Sequence, residues 1–107
     1  MDKIQFDHVC QMHSMLIPAG NSYACSSYKV TLGAHWYYGD HKVAVFVDNN
    51  GDMIYSDISI STEEELAVSL DKALIVFESA VHKQISYERL VSIPAEGINV
   101  SGKGVIV

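Results

Sequence analysis

The stretch HWYYGDHKVAVFVDNNGDMIYSDISI, residues 35–60, decides the fold. Asn50-Gly51 is a two-residue hairpin signal, because both central residues of the favoured turn need positive φ and these two types tolerate it. Gly39-Asp40 is a weaker signal of the same kind. Opposed residues of an antiparallel pair share a face, so the two turns test each other. A turn at Asn50-Gly51 sets Val47 against Ile54, Val45 against Ser56 and Val43 against Ile58. A turn at Gly39-Asp40 sets Trp36 against Val43, Ala34 against Val45 and Leu32 against Val47. Both turns therefore bury the same valine row. A glycine turn at Gly33-Ala34 is the competing register, and it would bury Tyr37 in place of Trp36. The opposite, outward face then carries His35, Tyr37, Lys42, Ala44, Phe46, Met53, Tyr55, Asp57 and Ser59.

On the C-terminal side of this segment, Thr62 and Glu65 stand at capping-box spacing, and Glu63, Glu64 and Glu65 complement the positive end of a helix. Leu66, Leu70, Ala73, Leu74, Phe77 and Val81 form one apolar stripe, which predicts a helix from about 63 to 84 packed on the valine face. On the N-terminal side, Phe6, Val9, Cys10, His13, Leu16 and Ile17 recur at helical spacing and predict a short helix over 4–17, stopped by Pro18 and Gly20. From Tyr87 onward two apolar runs separated by Pro94 and Gly97 form a tail that offers an edge strand or a partner contact. The expected fold is one α+β domain over 1–107, with a main body at 1–86 and the tail at 87–107. Its order is α-β-β-β-α, with a three-stranded antiparallel sheet packed on one helix.

Composition narrows the function classes. A chain of 107 residues with 49% hydrophobic content buries an ordinary core without metal or disulfide staples. Thirteen acids against seven bases give a net charge of −6, which disfavours direct nucleic-acid binding, since that depends on neutralising phosphates. Its longest apolar run, ALIVF at 73–77, is too short to span a bilayer. Two cysteines and no secretory leader favour a reducing cytoplasm, the host's if the gene is a phage's, with free thiols. A Cys10–Cys25 bond is the alternative.

Chemical motifs are sparse. HVCQMH, residues 8–13, holds two histidines and a cysteine. On a helix Cys10 and His13 lie about 60° apart, but His8 is roughly 140° from His13, so at most two ligands converge and no metal is expected. DNNGD at 48–52 lacks the glycine and the glutamate of a calcium loop, because Met53 and Ser59 occupy those positions. SSYK at 26–29 has the spacing of a serine nucleophile but none of its companion motifs. No cofactor and no catalytic residue is expected.

The order helix, three strands, helix is similar to that of double-stranded RNA-binding domains, whose last helix opens with phosphate-binding lysines. Here Glu63, Glu64 and Glu65 occupy those positions, so the likeness extends to topology and not to RNA binding. The hairpin running into STEEELAVSLDKAL also resembles the hairpin-to-helix passage of HicB-type antitoxins over about 40 residues.

Two features remain for binding. From Val43 to Asp71 there are seven acids and no lysine or arginine, which implies one negative surface able to attract a basic groove. On the outward face, Tyr37, Phe46 and Tyr55 are costly to leave wet, and a partner, a second copy or the tail is expected to cover them. The expected partner-binding residues are Tyr37, Phe46, Tyr55, Asp57, Glu63, Glu64 and Glu65. The expected function is that of a small acidic, non-enzymatic inhibitor of phage or mobile-element type. It is anti-defence or anti-CRISPR-like, occluding the basic surface of a nucleic-acid-handling protein. An oligomeric, antitoxin-like module that forms a homodimer through the outer face and tail is the alternative, and a metal-dependent enzyme is the third reading.

Overall fold

The computed structural model describes residues 1–92, with side chains through Tyr87. Helix α1 spans Lys3–Gln11, followed by strands β1 (Ile17–Ala19), β2 (Ser22–Ser27), β3 (Val30–Tyr37), β4 (Lys42–Asn49) and β5 (Asp52–Ile60), and then α2 (Glu63–Ser92). The strands form a five-stranded antiparallel meander in sequence order. Both helices pack on one face of it, which is called the inner face below.

The fold is thus α+β, with two more strands than expected. Both come from turns the sequence understates. Gly20 at φ 62° starts a two-residue link that pairs Ala19 with Ser22. Gly20-Asn21 is a hairpin signal, but Gly20 after Pro18 serves equally as a helix stop. The β2–β3 link is Tyr28-Lys29, with φ of 54° and 84°, the backbone of a type I′ turn carried by residues that give no compositional hint of it. The first helix is correspondingly shorter than 4–17. Asp2 and Gln5 cap its start reciprocally, and Ile17 belongs to β1. The last helix runs beyond 84 to Ser92, across the expected boundary between body and tail, so residues 87–92 are helix and not strand. An edge strand formed by 93–107 lies outside the described residues.

The central pairing is as expected. Leu32 stands opposite Val47, Ala34 opposite Val45 and Trp36 opposite Val43. All six are buried, and Trp36 Nε1 donates to the Met1 carbonyl oxygen at 3.2 Å. The competing turn at Gly33-Ala34 is absent, since both residues lie within β3. Tyr37 is 48% exposed. From α2 the apolar stripe Leu66, Leu70, Ala73 and Phe77 closes over this row, each large side chain contributing about 1.5–3 kcal/mol relative to exposure.

The β4–β5 pairing corrects the expected register. It starts as expected at the Asn50-Gly51 turn, with Asn49 opposite Asp52 and Asp48 opposite Met53. It then slips twice, each time with an extra residue on β5. Val47 faces Tyr55, Val45 faces Asp57 and Val43 faces Ile60. Because side chains alternate, the first bulge turns Tyr55 and Asp57 to the inner face and the second restores the original parity at Ile60. Ile54 and Ile58, expected in the core, are exposed, whereas Ile60 is buried.

On the outer face Phe46 leans over Gly33, its cross-strand partner. A Cβ at Gly33 would stand inside the van der Waals shell of the Phe46 ring. Gly33→Ala should therefore destabilise the fold by about 1–3 kcal/mol in denaturant melts at low protein concentration, since the ring must move. In a Phe46→Ala background the same change should cost little. Equal costs in both backgrounds would show that the ring does not set the requirement for glycine.

Candidate functional site

The bulges and the helix start together build a groove. Tyr55, Asp57, Ser59 and Ile60 of β5 line one side, and Glu64, Glu65, Val68, Ser69 and Lys72 of α2 line the other, around about 310 Å³. It exists because inverting the middle of β5 brings Tyr55 and Asp57 beneath the first turns of α2, where an unbroken register would have placed Ile54, Ser56 and Ile58.

The groove sorts the acids by what they already hold. Glu65 Oε1 accepts from Ser61 N at 2.9 Å, Ser61 Oγ at 3.2 Å and Thr62 N at 3.1 Å, while Glu65 N donates to Thr62 Oγ1 at 3.1 Å. This is the expected capping box, and it commits Glu65 to its own helix. The donors from Ser61, with those from Thr62, hold its carboxyl below the ordinary value. Among the described residues Asp57 Oδ1 accepts from Ser59 N and Oγ alone, at 3.3 and 3.4 Å. Glu64 is exposed and Glu63 half-buried. The one ion pair among the described residues is Lys3–Asp7 on α1, at 3.1 Å, so none of Glu63, Glu64 and Asp57 is in an ion pair there, although Lys72 lines the same groove.

Tyr55 is not an outward aromatic. Its hydroxyl lies 2.9 Å from the Oγ of Ser69, a residue 2% exposed on α2, so ring and hydroxyl both serve the interface between sheet and helix. The expected site is thereby divided. Tyr37 and Phe46 lie on the outer face of the sheet, whereas Tyr55, Asp57, Glu64 and Glu65 lie in the inner groove, with Glu63 beside it in the first turn of α2.

Other clusters are less equipped for chemistry. Ser22 Oγ and His35 Nδ1 meet at 2.6 Å on the outer face, a pair that cross-strand register alone would have found once β2 was recognised. Among the described residues no carboxylate holds His35, so the pair lacks the orienting third group of a nucleophilic triad. Burial, with Asp7 adding to it, pushes the Cys10 thiol up to about 12, and burial also raises Cys25, so neither is an activated thiolate. Both cysteines are free. No three His, Cys, Asp or Glu side chains gather into a metal-binding group, and no helix is long and apolar enough to cross a membrane, both statements applying to the described residues. A second, more apolar groove of about 530 Å³ runs between Cys25 and Ser27 of β2 and Phe77, Val81 and Ile85 of α2. No family model, curated protein or solved structure matches the chain.

The Tyr55 assignment has a direct test. Tyr55→Phe leaves the buried Ser69 hydroxyl without that partner and should cost about 1–2 kcal/mol in denaturant melts, with less than additive loss in Tyr55→Phe/Ser69→Ala. A neutral Tyr55→Phe would remove the hydrogen bond from the account.

The cap predicts a pH dependence. Glu65 titrates lower in the folded than in the unfolded chain. Its contribution is therefore present above the unfolded pKa and is lost as pH falls through the folded one. The difference in melting temperature between wild type and Glu65→Gln should shrink as pH is taken from about 7 to about 3. A constant difference across that range would show that the charge is not what caps the helix.

Proposed function

We propose that the protein acts by binding and not by catalysis, docking the acidic mouth of the β5–α2 groove on a basic protein surface. The observation that carries this reading is that Asp57 and Glu64 line an open groove, with Glu63 beside it, and none is in an ion pair among the described residues. Three like charges near one another repel, and the one cation lining the groove, Lys72, forms no ion pair with any of them among the described residues. A basic surface would relieve that repulsion while the groove excludes water, and both effects favour association. Basic surfaces of this kind are common on proteins that handle nucleic acid. The reading is therefore of an inhibitor of phage or mobile-element type that occludes such a surface. The net charge of −6 supports a protein target over nucleic acid itself.

The expected contact set is Asp57, Glu63 and Glu64. Glu65 is left out because its carboxylate is held by the helix cap, and Tyr55 because its hydroxyl is held by Ser69. Affinity capture from host cells, with mass spectrometry, should recover a basic nucleic-acid-handling protein with the wild type and not with Asp57→Asn/Glu63→Gln/Glu64→Gln. With that partner purified, the triple variant should associate roughly tenfold more slowly, and the wild-type rate should fall as salt rises. Association that is independent of salt and unchanged in the triple variant would overturn the reading. Melting curves separate lost binding from lost stability, because Glu63 and Glu64 also complement the helix dipole.

A further inference from the structure

The outer face of the sheet lies on the side opposite both helices. Its outward rows are short of charge. Along β4 the row reads Lys42, Ala44, Phe46, Asp48, with one cation at one end and one anion at the other. Along β3 it reads Thr31, Gly33, His35, Tyr37, with no acid, lysine or arginine. Neither Lys42 nor Asp48 is in an ion pair among the described residues.

We infer that a second copy of this chain packs face to face on this surface, with the β4 strands of the two copies antiparallel and Lys42 of each paired with Asp48 of the other. A two-fold axis in the plane of the interface, crossing β4 at Val45, produces this arrangement. It sets Lys42 against Asp48 of the second copy at both ends, and Ala44 against Phe46 of the second copy on either side of the axis. Every charge on the row thus meets its opposite. Along β3 the same axis sets His35 against the Gly33–Phe46 position of the second copy, ring on ring. Such an interface is isologous and closes at two.

Area and edges support a second copy over strand addition. With strands about 4.8 Å apart and about 3.3 Å per residue, the sheet offers roughly 500 Å² of plan per copy. The roughly 1,000 Å² total meets the lower bound for a specific interface. The two free edges are poor templates by comparison, since β1 has three residues and β5 carries two bulges. The inference goes beyond the inhibitor reading and uses the opposite side of the sheet, so either can fail without the other.

Light scattering on a size-exclusion column over a range of concentrations should show a dimer of the wild type. Lys42→Glu puts two acids together at each end and should weaken the dimer at least tenfold. Asp48→Lys puts two cations together and should do the same. Mixed in equal amounts, these two variants should recover a dimer, since each end then joins opposite charges. A helix-face or strand-edge dimer would not respond in this way. Asp48 Oδ2 also accepts from Gly51 N at 2.9 Å, so a melting curve must show that Asp48→Lys folds. If it does not, Lys42→Glu mixed with Asp48→Asn should give a heterodimer intermediate between the wild-type dimer and the Lys42→Glu homodimer. A wild type that stays monomeric at high concentration, as it would if residues 93–107 covered the face, overturns the inference. So does a dimer indifferent to Lys42→Glu.

Discussion

The row of valines on β4 is the constraint on which the rest of the structure depends. Val43, Val45 and Val47 are fully buried, and each needs cover from both neighbouring strands and from α2 above it. On β3 the requirement is met without irregularity by Trp36, Ala34 and Leu32. On β5 the facing set is uneven, Ile60, Asp57 and Tyr55, because the strand bulges twice. Tyr55 is accommodated because its ring covers Val47 while its hydroxyl reaches Ser69. Asp57 is accommodated because it sits at the groove, where its carboxylate keeps access to water.

This explains which parts of the fold were legible. The β3–β4 register follows from parity alone, because no bulge intervenes between Tyr37 and the valines, and the start of α2 follows from Thr62 and Glu65. The β4–β5 register is legible only as far as Met53. Ile54 and Ile58 look like core residues at the correct spacing, and neither glycine nor proline marks the slips beside them, so strict alternation assigns them inward. The contact that holds the inverted Tyr55 lies on another element: Ser69 of α2 offers its hydroxyl a partner, which no reading of β5 by itself can supply. The missing strands have a different cause. Tyr28 and Lys29 adopt positive φ without the usual residue types, and Gly20 serves equally well as a helix stop or a hairpin turn.

The candidate site was legible in composition and not in arrangement. The run of acids from Asp48 to Asp71 is visible in the sequence, but its members have different commitments. Asp48 accepts from Gly51 N in the hairpin turn and Glu65 closes the helix cap, so neither is as free as its neighbours. The aromatic residues divide in the same way, with Tyr55 drawn inward by one bulge and Tyr37 and Phe46 kept outward by the unbroken β3–β4 ladder.

The division has a consequence for how a chain of this size uses its surface. Had β5 kept the register set by its turn, Tyr55 and Asp57 would have joined Phe46 on the outer face, placing a carboxylate near the middle of a surface otherwise low in charge. Burying that face against anything would then have required desolvating an unpaired acid, at a cost of several kcal/mol. The inversion between the two bulges moves this acid to the groove beside Glu64, where it adds to a charged surface instead of interrupting an apolar one. The same irregularity therefore makes the outer face fit for packing and the inner groove more negative. A single strand that departs from regular pairing separates two surfaces that a regular strand would have merged.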